Sequence, residues 1–382
     1  MNILVIGNGF DLAHQLPTKY EHFLEFVQAY EQYLTSQMTD SDKYYSYFDH
    51  IKNEDPCLFY EISDLIKDNL WLQYFQCVLS ERCIEGKDGW IDFESEISVI
   101  IQTLDEVRNN IASKFKEGEE RVIIDKRYSI ILDSIFIKSQ NSSTYYDKET
   151  ITSQKSLLLN NLNRLTRLLE IYLASYISTL YDTCKFLTEV QQLEIDKVLS
   201  FNYTDTYQRL YDKNGRVEYD YIHGKADVQH TIENCNLILG IDEYLEGDAQ
   251  RKDNEFIQFK KFYQRIYKMT GCKYIDWVKD PFEQRRMTPA AHSGDKQPRY
   301  NVYIYGHSLD ITDGDIINRL ITNADTRTTI FYHDNVALGK QIANLVKIID
   351  ETKLIEMTEG NNALIVFKHS SPDISIMPSV RQ

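Results

Sequence analysis

The chain has 382 residues, 42% hydrophobic and 26% charged, with only 15 Gly and 7 Pro, which excludes a disordered or fibrous protein and leaves enough length for a full core. Lys and Arg total 42 against 58 Asp and Glu, a net charge of −16. A surface that acidic repels phosphate backbones and excludes a general nucleic-acid coat. The cysteines, Cys57, Cys77, Cys83, Cys184, Cys235 and Cys272, form no Cys-x-x-Cys pair, so a cysteine-based zinc module is not expected, and the scatter fits a reducing compartment. The apolar start is short, lacks a basic flank and is broken by Gly7, Asn8, Gly9 and Asp11, unlike a signal peptide. The most apolar window, 168–180, is interrupted by Glu170 and falls short of the ~20 residues of a membrane span. These features lead to the expectation of a cytoplasmic protein without a membrane segment.

In chain order, residues 2–6 are a short apolar run ending at Gly7, as in a buried parallel strand. Thr18 and Glu21 have the spacing of a capping box, ahead of a helical face at Tyr20, Phe23, Leu24 and Val27. From about 35 to 195 helical periodicity dominates, clearest in Leu158, Leu162, Leu165, Leu169, Leu173, Tyr176, Ile177 and Leu180. Segments 58–83, 92–116 and 122–138 read as helices and 139–150 as a loop. Strands return at Val198–Phe201, Glu218–Ile222, Asn236–Leu239, Asn301–Tyr305, Thr328–Tyr332 and Ala363–Phe367, alternating with helices at 203–212, 253–269, 313–323 and 336–349. The alternation predicts an α/β fold: a mostly parallel sheet domain of residues 1–30 plus 196–382, interrupted by a helical insertion at 31–195.

One stretch departs from the overall charge. Residues 251–300 carry 12 Lys/Arg and 6 Asp/Glu, a local +6 that leaves −22 on the rest. Its second half holds Pro281, Pro289 and Pro298 and reads as a long loop.

Four predicted strand ends carry small polar loops. Gly7-Asn8-Gly9-Phe10-Asp11 follows the first strand, where glycines allow a backbone to turn tightly and approach a phosphate; Leu12 stands where the dinucleotide fingerprint has its third glycine. A plain strand-to-helix turn explains the same residues. Asn202 ends a second strand, with a donor and an acceptor to offer, although Asn202 or Thr204 also fits a helix N-cap. His223-Gly224 ends a third; imidazole is suited to proton transfer near neutral pH, although a hydrogen-bonded surface His and a plain turn Gly explain the same pair. Gly306-His307-Ser308-Leu309-Asp310 ends a fourth, with Asp310 and Asp313 also explicable as helix-start residues. If the strands are parallel, these loops converge on one edge. A fifth motif, Asp92-Phe93-Glu94-Ser95-Glu96, puts two carboxylates one helical turn apart; a solvated or ion-paired helix start is the commoner meaning of that pattern.

Residues 7–20, Trp90–Glu94, Phe201–Asp205, Ile222–Gly224 with Leu239–Asp242, and Tyr305–Asp310 resemble, in order, the motifs of the phage abortive-infection AbiH family. That resemblance implies a bacterial protein acting against phage. A more distant resemblance is to the sirtuin and SIR2-like NAD-binding fold, which is Rossmann-like: glycine loop, strand-end Asn, His-Gly 21 residues later, then Gly-x-Ser. It implies that Gly7, Asn8, Gly9 and Asp11, with Phe10 beside them, and Gly306, His307 and Ser308, with Asp310, contact NAD. It implies catalytic roles for Asn202 and His223 and requires no metal. The chain lacks the cysteine pairs of the sirtuin zinc module, so NAD hydrolysis is the closer analogy than deacetylation.

Three functions follow as expectations: an NAD glycohydrolase effector, a nucleotide-binding sensor without turnover, or a nuclease using the basic stretch with Asp92, Glu94 and Glu96 on magnesium. The expected partners are NAD or a related nucleotide and a phage trigger of unspecified kind, with self-association open and nucleic acid disfavoured. Lys260, Lys261, Arg265, Arg285 and Arg286 are candidates for a cationic lid over a ligand's phosphates, although a helix whose Lys and Arg balance acidic neighbours explains the same stretch.

Overall fold

The computed structural model describes residues 1–84, 91–114, 131, 148–278, 300–323, 325–360, 363–370 and 374–375. They group into two compact units, Met1–Thr18 with Ile177–Lys225 and Thr270–Gln382, and Lys19–Tyr176 with Ala226–Met269. Sequence alone gives residues 19–30 and 226–269 to the sheet and 177–195 to the insertion; in the structure they group the other way.

The first unit is a six-stranded sheet. Its strands are β1 (Asn2–Ile6), β2 (Lys197–Ser200), β3 (Glu218–Tyr221), β4 (Tyr300–Tyr305), β5 (Thr326–Tyr332) and β6 (Ile365–His369). They lie in the order β3-β2-β1-β4-β5-β6, every neighbouring pair parallel. The mixed α/β character and parallel sheet are as the alternation predicts. Successive β1 residues alternate between two cores: Ile3 and Val5 join Val302, Ile304, Ile316 and Leu345, whereas Leu4 and Ile6 join Phe10, Val198, Tyr207 and Phe331. Burial on both faces is why β1 reads as a continuous apolar run instead of an alternating one. The predicted strand at Asn236–Leu239 does not form. Leu237, Ile238 and Leu239 are buried, but side chains take the place of a neighbouring strand. Leu239 N–H donates to Gln264 Oε1 (3.1 Å), Gln264 Nε2 donates to the Leu239 carbonyl (3.2 Å), and Lys268 Nζ donates to the Leu237 carbonyl (2.5 Å).

Helices flank the strands. Short α1 (Asn8–Ala13) starts directly after Gly7, and α2 (Thr206–Leu210) follows the Asn202 loop. After β4 comes α3 (Gly314–Ile321), and between β5 and β6 lie α4 (Asn335–Ile349) and α5 (Glu351–Thr358). Asp334 caps α4 by accepting from Ala337 N–H (2.7 Å), and Asp350 caps α5 by accepting from Lys353 N–H (2.9 Å).

The second unit is helical, with helices at Tyr20–Leu34, Tyr45–Glu54, Pro56–Ile66, Leu70–Ile84, Phe93–Lys114 and Lys148–Ile171. The predicted face Phe23, Leu24 and Val27 is buried, but the predicted capping box does not form. Thr18 Oγ1 donates to Asn8 Oδ1 (2.6 Å) and Glu21 Oε1 accepts from Ile91 N–H (2.6 Å), so neither side chain serves the helix start. The segment read as one helix at 58–83 is two, broken where Asp68 takes φ 52° and Asn69 Oδ1 accepts from the amides of Trp71 (3.1 Å) and Leu72 (3.3 Å). After Ile171 the helical hydrogen bonding loosens to a π turn at Tyr172–Tyr176 and then tightens to a 3-10 turn at Ile177–Thr183. Apart from Ile131, the predicted helix 122–138 lies outside the described residues, as does most of the predicted loop 139–150. Among the described residues no helix is long and apolar enough to cross a membrane.

Candidate functional site

Parallel register brings the four predicted loops to one level. Ile6 pairs with Ser200 and with Tyr305, and Ser200 pairs with Tyr221. Gly7, Phe201, Ile222 and Gly306 therefore leave four adjacent strands side by side at their carboxyl ends.

The glycines let two of these loops touch. A Cβ on Gly7 would come within 2.8 Å of the Gly306 carbonyl oxygen, one on Gly9 within 2.8 Å of Gly306 Cα, and one on Gly306, at φ 67°, within 2.1 Å of Phe10 N. The close approach is hydrogen-bonded: Gly7 N–H donates to the Tyr305 carbonyl (3.2 Å), Gly9 N–H to that of Gly306 (2.9 Å) and Phe10 N–H to that of Gly7 (2.8 Å). Three amides that the sequence offers as phosphate donors are thus committed within the protein. Asn8 is exposed and its side chain engages Thr18, whereas Phe10 is fully buried, tilted against Tyr207 and Tyr211 and edge-on to Tyr305.

Asp11 is 1% exposed. Its Oδ2 accepts from Thr204 Oγ1 (2.6 Å), which accepts from Thr206 Oγ1 (3.2 Å), which pairs with Tyr181 (3.1 Å). Its Oδ1 has no partner among the described residues. Burial raises the Asp11 pKa from 3.8 to about 6, opposed by Thr204, Thr206 and Asn202. Asn202 is also buried; its Nδ2 donates to the Gly7 carbonyl (3.0 Å), and its Oδ1 has no partner among the described residues. Thr204, an alternative helix cap in the sequence, is instead the Asp11 donor.

The third and fourth loops meet at Asp313. His223 Nε2 lies 3.4 Å from Asp313 Oδ1 and His307 Nε2 lies 3.5 Å from Asp313 Oδ2. Burial by itself would raise the Asp313 pKa, but His223 and His307 hold it well below the usual carboxylate range. The Phe201 ring stands edge-on to both imidazoles, with centroids 4.3 Å from His307 and 5.6 Å from His223. Ser308 is exposed, and Asp310 Oδ1 accepts from Thr312 N–H (3.2 Å), the helix-start role available to it in sequence. Asp313, legible in the sequence only as a helix-start residue, instead faces two imidazoles. A His followed six positions later by Asp is the only trace of that meeting, and the folding back of that loop is not written in the spacing.

The fifth motif is spent on structure. Asp92 accepts from Glu94 N–H (3.1 Å) and Ser95 Oγ (2.6 Å), Glu94 pairs with Lys261 (2.6 Å), and Glu96 meets Tyr74 (2.8 Å) and Arg82 (2.5 Å). Lys260 and Lys261 are buried against Glu243 (2.6 Å) and Glu94, so neither is a lid cation. Arg285 and Arg286 lie outside the described residues.

A family profile described as "Bacteriophage abortive infection AbiH" matches residues 3–334, a span that contains all four loops. Comparisons with curated proteins and with solved structures find no match. The chain belongs to the AbiH family of bacteriophage abortive infection proteins.

Proposed function

We propose that the chain is an abortive-infection effector that hydrolyses the nicotinamide–ribose bond of NAD at the carboxyl edge of its sheet, with Asn202 and His223 carrying the chemistry. The observation that carries this reading is the His223 imidazole, backed by the Asp313 carboxylate at 3.4 Å, at the end of a parallel strand. An imidazole oriented by an ionised carboxylate is the usual arrangement of a general base. The strand order supports a nucleotide ligand. Doubly wound dinucleotide-binding sheets run 3-2-1-4-5-6 and bind where the order reverses, which here is β1, between β2 and β4. The motif resemblance to SIR2-like domains favours NAD within that class.

In the reaction the glycosidic C1′–N bond breaks, nicotinamide leaves with its electron pair, and a water oxygen bonds to C1′. His223 accepts the proton that water, or a ribose hydroxyl, gives up. Asn202 Oδ1, an acceptor without a partner among the described residues, orients that hydroxyl or water. Gly7, Asn8, Gly9, Phe10, Asp11 and Gly306–Asp310 shape the edge that receives the dinucleotide. The purified chain is expected to release nicotinamide from NAD, with a loss of roughly 10²-fold or more in Asn202→Ala and in His223→Ala. Release that survives in both variants contradicts the assignment.

A further inference from the structure

Building on that reading of the site, we infer that Asp313 and His307 are positioning residues that hold the His223 ring with its proton on Nε2, making Nδ1 the atom that accepts a proton from the substrate side.

The loop after β4 is built to bring them together. Gly306 at φ 67° and Leu309 at φ 56° both lie in the left-handed region, which a buried Leu adopts only under constraint. The two reversals return the Leu309 amide to the ring it just left, and its N–H donates to His307 Nδ1 (2.9 Å). A nitrogen that accepts keeps its lone pair, so the His307 proton sits on Nε2, which faces Asp313 Oδ2 at 3.5 Å. Gln341 Nε2 donates to the His307 carbonyl (3.3 Å) and fixes the loop from α4.

Asp313 occupies the N-cap position of α3, yet its side chain makes no cap hydrogen bond. Asp310, Asp334 and Asp350 each make one at the helix they precede. Its carboxylate is instead shared between two imidazoles, one oxygen each. With one oxygen facing the His307 N–H at 3.5 Å, the other faces His223 Nε2 at 3.4 Å. A carboxylate facing a ring lone pair would be repelled, so the His223 proton also sits on Nε2. His223 Nδ1 then carries the lone pair and has no hydrogen-bond partner among the described residues.

The step balances without a further reagent. The attacking water bonds to C1′ and passes a proton to Nδ1. The imidazolium keeps its Nε2–H against Asp313, which stays ionised, and the Nδ1 proton returns to solvent after nicotinamide and ADP-ribose leave.

The test is nitrogen NMR of the chain with 15N-labelled histidine rings, His223 and His307 being assigned from the spectra of His223→Gln and His307→Gln. Both rings are expected as Nε2–H tautomers in the unliganded wild type; a His223 ring protonated on Nδ1 alone overturns the inference. Asp313→Asn presents an amide in place of the carboxylate. It is expected to abolish the single His223 tautomer and to lower nicotinamide release roughly 10²-fold or more. A folded Asp313→Asn protein with the His223 tautomer and the release unchanged also overturns it. If that variant does not fold, the wild-type spectrum decides alone. The spectrum needs no NAD, so both rings in the expected form without nicotinamide release would support the positioning and remove only the proposed substrate.

Discussion

Asp11 and His14 are both buried ionisable groups on α1, and burial acts on them in opposite senses. His14 is held neutral: its Nδ1 donates to the Phe10 carbonyl (2.7 Å), its Nε2 accepts from Tyr211 Oη (2.7 Å), and burial lowers its pKa to about 4. Its contribution is present above its ordinary pKa of 6.5 and is lost as pH falls toward about 4. Asp11 has the reverse sign. Its folded pKa is raised, so stability is full below 3.8 and is lost as pH rises through about 6. The shift corresponds to about 3 kcal/mol by neutral pH. Asp11→Asn keeps an acceptor for Thr204 and removes the charge. The variant-minus-wild-type stability is therefore expected to grow from near zero at about pH 4 to about 3 kcal/mol at about pH 7 in urea titrations, a difference in which His14 cancels. Gly306 makes a second prediction at this scale. Alanine there meets both the positive φ and a backbone nitrogen 2.1 Å from its Cβ. Gly306→Ala is expected to cost more than about 2 kcal/mol in the same titration.

Secondary-structure elements were legible where their own residues decide them and illegible where a distant side chain does. The apolar run of β1 and the Leu face of Lys148–Ile171 announce themselves because their periodicity is the cause of their burial. The capping box at Thr18 has the right spacing, but Asn8 and Ile91 outcompete the local partners. Asn236–Leu239 has the composition of a strand, but Gln264 and Lys268 satisfy its backbone. The Lys148–Ile171 helix also carries an ion cluster that its sequence hides. Arg167, 1% exposed, engages Glu61 (2.8 Å), Glu170 (2.8 Å) and the Asp227 and Val228 carbonyls, while Glu170 also takes His230 Nδ1 (2.5 Å). Arg167→Leu leaves Glu170 buried without its Arg partner. Unfolding of the helical unit, followed by Trp71 fluorescence, is expected to be easier by about 3–5 kcal/mol.

At the scale of the whole molecule, the repeated grammar of apolar run, small residue and polar loop was readable because a parallel sheet delivers every strand end to the same edge. Asn202, His223 and the glycines could be found that way; the Asp313 bridge and the hydroxyl relay from Tyr181 to Asp11 could not, since both depend on which side chains meet after the loops fold. Charge was a weaker guide. The basic 251–300 stretch stands out against −22 elsewhere, yet Lys260, Lys261 and Lys268 are each bound to a carboxylate or a carbonyl within the helical unit. The most direct test of the central claim is the NAD content of phage-infected bacteria carrying the wild-type chain or His223→Ala. NAD is expected to collapse during infection with the wild-type chain and to hold steady with the variant, which also loses protection. Protection by the wild-type chain while NAD stays at its uninfected level would contradict the account.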